Sequence, residues 1–330
     1  MKRPLSCLAL AATLVAALPA AAQKPAAGAG EYPNRPVRIV VPQTPGGGVD
    51  VVARLVAQKL TETWGQQVIV DNRPGANGII GIDAVAKSKP DGYTIAAAFT
   101  SVLTINPHVY KSLPYDPFRD FVPITQNVTN TIVLVVHPNL PARSVKELIA
   151  LGRSQPGDLV YGSFGIGNMT HLAGELMRLE TKLKMTHVPY KGESPAVTGL
   201  LGGQVVLIWA TSAGIAPHIR SGRLRLLATG GDKRTAAWPD TPTMIELGYP
   251  NVRVTGWGAY VAPAGTPPEI IDKFYRDTAR HLLAPDMREK LSAAGAEPAA
   301  TSPAELAAFL KSESEKWARV VRQAGIQHSQ

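Results

Sequence analysis

An α/β fold of two lobes joined by two extended crossings follows from three features of the sequence. Strand-like and helix-like runs alternate along most of the chain, the pattern of a largely parallel sheet flanked by helices. Two long extended stretches, Phe121–His137 and Val252–Ala262, interrupt that alternation and read as passages between lobes. Two glycine-rich segments, Pro45-Gly46-Gly47-Gly48 and Gly162-Ser163-Phe164-Gly165-Ile166-Gly167, each stand between a strand and a helix. A cleft between lobes is a natural ligand site, and hinge closure around the ligand is a known switching mode.

The elements follow in order. Val37–Val41 is a β-branched strand stopped by Pro42, and Val51, Val52, Leu55, Val56 and Leu60 then recur at helical spacing up to Trp64-Gly65. Val68–Val70 is a second strand, Asp71–Gly75 a loop, Gly78–Lys87 a helix and Tyr93–Ala98 a third strand. Beyond the first crossing come the helix Ser144–Ser154, the strand Leu159–Tyr161 and the helix Met169–Leu179. The strand Met185–Val188, helix Ser194–Leu201, strand Val205–Trp209, helix Ala213–Ser221 and strand Arg225–Thr229 complete the second lobe. The C-terminal part is helical: Glu269–Leu283, then a helix opened by Ser302-Pro303-Ala304-Glu305, with Ser at N-cap, Pro at N1 and Glu at N3. Residues 31–127 and 253–330 therefore form one expected domain and 128–252 the other, with no convincing internal repeat.

The N-terminus reads as an address. Lys2 and Arg3 precede an apolar run from Leu5 to Leu18, and Ala20-Ala21-Ala22 offers a cleavage site, so residues 1–22 are an expected export signal. Residues 23–30 are an Ala/Gly-rich linker, expected to be mobile. Cys7 lies too early in the apolar run for a lipid attachment site. The mature protein is expected in a periplasm.

Composition removes several function classes. One cysteine in 330 residues excludes a disulfide framework, an iron–sulfur cluster and a Cys-based zinc site. The seven histidines contain no HxxxH or HxH spacing, so a helix-borne zinc hydrolase is disfavoured and no metal site is expected. The net charge of +9 comes from scattered Lys and Arg, not from a basic helix, which argues against nucleic acid. Attraction of anionic ligands and ordinary solubility charge both remain open.

The glycine-rich segments carry the chemistry. Pro45–Asp50 exposes successive amides, and the helix that follows adds its unpaired first-turn donors and positive dipole end, together an anion site. A tight turn with nothing bound is the alternative. The segment is not a Walker loop, since no Gly-Lys-Ser/Thr follows. The second segment resembles a dinucleotide loop only at Gly165-Ile166-Gly167, because Met169 stands where the third glycine belongs. No cofactor is expected. For catalysis, Ser163 and Ser212 lack the G-x-S-x-G context, and His171 and His187 have no obvious nucleophile or orienting carboxylate nearby in sequence. Trp209 and Trp257 either stack on a ligand or pack the core and hinge.

Ordered motifs then point to a family. Tyr32-Pro33-Asn34-Arg35-Pro36-Val37-Arg38, Pro45-Gly46-Gly47-Gly48-Val49-Asp50, Asp71-Asn72-Arg73-Pro74-Gly75-Ala76 and Lys89-Pro90-Asp91-Gly92-Tyr93-Thr94 run in sequence. Leu113-Pro114-Tyr115-Asp116-Pro117, Thr170-His171-Leu172-Ala173-Gly174-Glu175 and His187-Val188-Pro189-Tyr190-Lys191-Gly192 follow. From about Tyr32 to Ile326 the chain resembles the Bug family, the periplasmic solute-binding receptors of tripartite tricarboxylate transporters. The resemblance implies a two-lobed, type II-like "Venus flytrap" that binds a small carboxylate, di- or tricarboxylate or aromatic, without catalysis. It implies delivery to the membrane permease subunits, and a monomer. By position, the loops that hold the ligand match Thr44, Pro45, Gly46, Gly47, Gly48, Val49 and Asp50, and Ser163, Phe164, Gly165, Asn168 and Thr170. Thr100 and Ser101 are expected to line the same cleft, and Trp209 and Thr211, at the end of the strand Val205–Trp209 and just beyond it, are further expected ligand residues.

Two departures from the family pattern bear on the ligand. Val49 stands where a Thr is common, and Trp209-Ala210-Thr211 stands where an aromatic–Asp–Asn-like stretch is frequent. With that acid gone, the expected guest has no amino group and rests an apolar body on Trp209 and Phe164. An exported carboxylate-sensing regulatory receptor, and a periplasmic hydrolase, are the alternatives.

Overall fold

The structure, a computed structural model, describes residues 32–327 apart from 156, 158 and 294. The expected leader and linker, Cys7 included, lie outside the described residues. Two β-α-β-α-β units set the frame. The first is β1 (Val37–Val41), α1 (Gly48–Trp64), β2 (Val68–Asn72), α2 (Ile79–Ala86) and β3 (Thr94–Phe99). A π-helical turn at Ser101–Ile105 runs into the short α3 (Asn106–Val109), and β4 (Phe121–Val136) follows. The second unit comes after α4 (Val145–Ser154): β5 (Leu159–Ser163), α5 (Met169–Thr181), β6 (Met185–Pro189), α6 (Glu193–Leu201) and β7 (Leu207–Thr211). The chain continues through α7 (Ser212–Arg220), β8 (Arg225–Thr229), β9 (Thr255–Pro263), α8 (Pro268–Leu282), α9 (Pro285–Ala293), β10 (Ala296–Pro298) and α10 (Pro303–Ala324).

The strand order is β2-β1-β3-β9-β4-β7-β5-β6, with β8 and β10 also paired to β4. β1 is parallel to β2 and β3, and β5 is parallel to β6 and β7, so each unit folds back on its first strand in the same way. The long strand β4 joins the two lobes. Phe121–Thr131 pairs antiparallel with β9, whereas Ile132–Val136 pairs with β7. The second passage, just before β9, is tied to β4 where Gly230 N–H donates to Ile132 C=O (2.7 Å) and Val254 N–H to Gly230 C=O (2.8 Å). Both extended crossings expected from the sequence are therefore present.

Local rules explain the element ends. Ser302 accepts from the Glu305 N–H, and the Glu305 carboxylate accepts from the Ser302 N–H, which closes the expected capping box of α10. Leu306, Leu310, Trp317 and Val321 of that helix are buried, each contributing about 1.5–3 kcal/mol relative to exposure. Helix α1 ends at Gly65, left-handed at φ 63°, whose N–H returns to Thr61 C=O. Three expectations need correction. The helix after β2 begins at Ile79, behind a 3-10 turn at Ala76–Gly78, the strand ending in Trp209 is displaced to Leu207–Thr211, and α9 with β10 was not foreseen.

In an open α/β sheet, ligands bind beyond the carboxyl ends of the strands, where the order reverses. Here the reversals lie at β1/β3 and β5/β7. The loops after these four strands contain Gln43 to Gly47, Thr100, Phe164 to Asn168, and the start of α7.

Candidate functional site

These loops meet in one cleft with an outer and an inner part. The outer cavity measures about 240 Å³ and is walled on one side by Gln43, Phe99, Tyr110 and the loop Pro74–Gly78. Phe164, Gly165, Ile166, Asn168 and the segment Pro189–Gly192 form the opposite wall. The inner cavity is only about 20 Å³, room for one water-sized group. Its lining residues come from both lobes and the crossings: Gln43, Val49, Phe99, Thr100, Ser101, Asn130, Phe164, Asn168, Met169, Thr211, Gly256 and Trp257, all uncharged.

Polar groups at the inner end are held rather than free to wander. Ser101 Oγ accepts the Met169 N–H (3.2 Å) across the cleft, and its own proton remains available. Asn168 caps α5 by accepting from Thr170 N–H (3.0 Å) while its amide donates to Asn77 Oδ1 (2.8 Å) in the other lobe. Thr100 Oγ1 accepts the Trp257 N–H (3.1 Å), fixing the loop after β3 to the crossing. The Trp257 indole donates to Glu313 (2.9 Å), which also takes the Trp317 indole (3.0 Å), so α10 locks the hinge side of the wall. Gln43 Oε1 and Asn130 Oδ1 are buried with no protein partner. Because an amide can rotate end for end, either group can offer a donor or an acceptor to a guest.

The glycine turn before α1 differs from the expected open nest. Gly46 N–H donates to Asp50 Oδ2 (2.9 Å), and Gly48 N–H donates to Glu193 Oε2 (2.8 Å). Glu193 comes from the first turn of α6 in the opposite lobe, and its other oxygen accepts from Thr211 N–H (3.1 Å) and Thr211 Oγ1 (2.5 Å). Burial pushes the Glu193 carboxyl above its ordinary pKa, opposed by the bonds from Thr211 and Gly48. Burial also works against ionised Asp50, but bonds from Arg54, the Gly46 N–H and Asn72 outweigh it and hold that carboxyl below its usual range. One main-chain amide of α1, that of Gly48, does meet a carboxylate from the other lobe, and the carboxylate is the protein's own. Next to it Ser194 Oγ donates to Pro45 C=O (2.6 Å) and lies 3.5 Å from the Thr44 hydroxyl, a further seam between the lobes.

The second glycine loop is likewise satisfied internally. Phe164 N–H donates to Thr170 Oγ1 (3.0 Å), Gly165 N–H to Ser163 Oγ (3.2 Å) and Gly167 N–H to His171 Nδ1 (3.0 Å). Folding also creates a pair hidden in the sequence: Ser163 Oγ lies 2.6 Å from His187 Nε2, and the His187 ring stacks on His171 at 3.9 Å. The pair has none of the other properties of a nucleophile and base. Ser163 is fully buried, and burial, with His171 adding, holds His187 down to about 3. Burial likewise lowers His171. Uncharged rings suit this stack, which braces the loop from beneath. No group of three or more metal-ligating side chains occurs among the described residues.

Of the expected ligand residues, Val49, Thr100, Ser101, Phe164, Gly165, Asn168 and Thr211 line the cleft. Gly47 and Gly48 stand behind its inner wall against Glu193, and Thr44 and Pro45 form the seam. Gly46, Asp50, Ser163 and Thr170 serve the loops' own geometry. Trp209 is a correction. It is fully buried in the second-lobe core with Tyr161 and Leu172, because its place in β7 turns it away from the cleft, so the aromatic walls are Phe99, Phe164, Tyr110 and Tyr190, with Trp257 at the inner end. Glu193 reaches Thr211 from behind the wall and does not line the cleft. The loop Pro74–Gly78 and Tyr190–Gly192 are cleft residues beyond those expected from the sequence, and the motifs Asp71–Ala76 and His187–Gly192 reach into them.

A cleft at matched switch points of two α/β lobes, joined by crossing strands, defines a two-lobed solute-binding protein. The tripartite tricarboxylate transporter family receptor model (TctC) matches residues 52–326, and the chain belongs to this family, among its Bug-type receptors. It is 40% identical to BugT of Bordetella pertussis over 295 residues, covering 89% of this chain and 90% of BugT. Among solved structures, Rpa4515 of R. palustris with adipate superposes with a TM-score of 0.88 at 36% identity, covering 90% of this chain and 99% of that one. MatC from Rhodopseudomonas palustris with bound malate gives 0.83 at 29% identity, covering 88% of this chain and 100% of that one. These relatives are solute-binding receptors rather than enzymes. No helix among the described residues is long and apolar enough to cross a membrane.

Proposed function

We propose that this chain is an extracytoplasmic receptor that holds a small carboxylate in the interlobe cleft and passes it to the permease subunits of a tripartite tricarboxylate transporter. One observation carries the reading. The inner cavity is lined from both lobes by uncharged dipoles, including the Ser101 hydroxyl and the amide ends of Gln43, Asn130 and Asn168. The α1 N-terminus adds the Val49 N–H, which has no partner within its helix, and a positive dipole end. Such a lining can offer donors to one oxygen of a carboxylate at the inner end without a fixed cation. The guest's body then lies in the outer cavity between Phe99, Phe164, Tyr110 and Tyr190, with Lys191 at the mouth.

No Asp or Glu side chain lines either part of the cleft among the described residues, so a ligand ammonium has no direct partner there. The preferred guest therefore lacks an amino group. Ligand contacts made to both lobes favour the closed form by their differential affinity for it, and the permease reads that form. In this reading residues 1–22 direct export, the mature chain works as a monomer, and residues 31–127 with 253–330 move as one body against 128–252. Thermal-shift measurements with a panel of carboxylic acids test it. Stabilisation by acids without an amino group is expected, and a clear preference for aspartate or glutamate contradicts it.

A further inference from the structure

We propose that Glu193 is a specificity-determining residue: a resident carboxylate that takes the anion position between α1 and α7, so that the inner end of the cleft admits only one carboxylate from a guest. The inference rests on the carboxylate-receptor reading. Its basis is a cradle shaped for an acid. Glu193 receives one N–H from α1, at Gly48, and the N–H and hydroxyl of Thr211, the N-cap of α7. Three glycines leave the room. A Cβ at Gly214 would stand 2.5 Å from Glu193 Oε1, one at Gly47 would stand 3.0 Å from Oε2, and one at Gly48 would stand 2.6 Å from Thr211 Oγ1. Each is a close approach that a side chain would obstruct.

The cradle shares its wall with the inner cavity. Val49 follows Gly48, and Thr211 touches both Glu193 and the cavity. A guest carboxylate seated at the inner end thus has a second carboxylate immediately behind the wall, drawing on the same helix terminus. One anion from the guest can still be held by Ser101, Asn168, Gln43 and Asn130. A second on the adjacent carbon, or one carbon further on, finds its natural donors occupied and meets a like charge at short range. The chain therefore discriminates against vicinal and 1,3-dicarboxylates in favour of the matching monocarboxylates. A long diacid whose far end reaches Lys191 escapes this exclusion.

The test is calorimetric titration of the full mature chain and its Glu193→Gln and Glu193→Ala variants with acids that share a body. Butanoate and succinate, pentanoate and glutarate, and benzoate and phthalate are the pairs. Wild type is expected to bind the monoacid of a recognised pair at least about tenfold more tightly (about 1.4 kcal/mol). Glu193→Gln keeps shape and removes charge, and is expected to shrink that ratio about tenfold. Glu193→Ala is expected to invert it. An unchanged ratio in a folded Glu193→Gln variant, or tighter diacid binding by wild type, overturns the proposal while leaving the receptor reading intact. Absence of binding by every acid, these and longer ones, overturns both. A purely structural role for Glu193 would weaken both members of a pair alike.

Discussion

The two helices that open toward the cleft, α1 and α5, solve the same problem in opposite ways. Each begins after a glycine-rich loop and leaves first-turn N–H groups in search of acceptors. Helix α5 is served from nearby: Asn168 caps it, Thr170 and His171 bind the loop, and only Met169 N–H reaches across, to Ser101. Helix α1 has no side-chain cap of its own, and Gly48 N–H is met by Glu193, 145 residues away in the other lobe. A locally capped terminus keeps its cap when the lobes separate, and α5 gives up only the Met169–Ser101 and Asn168–Asn77 bonds. A terminus capped from across the cleft is satisfied in this way only when the lobes are together, so α1 couples closure to hydrogen bonding and α5 mainly provides a fixed wall.

The sharpest way to break this contrast is Gly48→Ala. Its Cβ would stand 2.6 Å from Thr211 Oγ1, so the variant is expected to keep its lobes apart and lose roughly 100-fold in affinity for the best acid of the panel. Small-angle scattering should show a larger radius of gyration, and a scattering curve and affinity like wild type would refute the coupling. Asn168→Ala, on the α5 side, removes a cap and the link to Asn77. A loss of about 1–2 kcal/mol in urea unfolding is expected, with a smaller change in lobe separation than Gly48→Ala gives.

Acidity separates the two carboxylates around α1. The Glu193 pKa is raised in the folded protein, so its favourable contribution is complete below its unfolded value and is lost as pH rises through the folded one. The Asp50 pKa is lowered, so its contribution is present above its unfolded value and is lost as pH falls through the folded one. Urea midpoints across about pH 2 to 8 should therefore show wild type losing ground to Glu193→Gln as pH rises. Against Asp50→Asn, wild type should lose ground as pH falls. Parallel profiles would contradict the assignment. The smallest effect is expected from Ser302→Ala, which costs about 1 kcal/mol of stability through the α10 cap and leaves ligand affinity unchanged.

What the sequence revealed follows the same line between local and distant causes. The strands β1 and β5, the helices behind them and the capping box at Ser302 are written in neighbouring residues, and both crossings could be read from extended apolar runs. The cleft itself could be placed because glycine-rich turns mark where strands end and helices begin. The capping of α1 by Glu193 could not, since nothing near Gly48 specifies an acid so far along the chain. Trp209 was misplaced for a related reason: which face of β7 meets the core depends on pairing with β4, where it lies opposite Leu134. The Ser163–His187 contact joins residues 24 apart through parallel strand pairing, and spacing alone gave no sign of it. The mirrored order of the two β-α-β-α-β units is likewise a property of topology, carried without an apparent sequence repeat.

The carboxylate itself is the central claim, and the most direct measurement compares an acid with its own primary amide. Calorimetric titration of the mature protein with the best acid of the panel and then with that amide leaves the body constant and removes the charge. Saturable one-to-one binding of the acid, with the amide weaker by at least about tenfold, is the predicted result. Equal binding of the two, or binding of the amide alone, would contradict it.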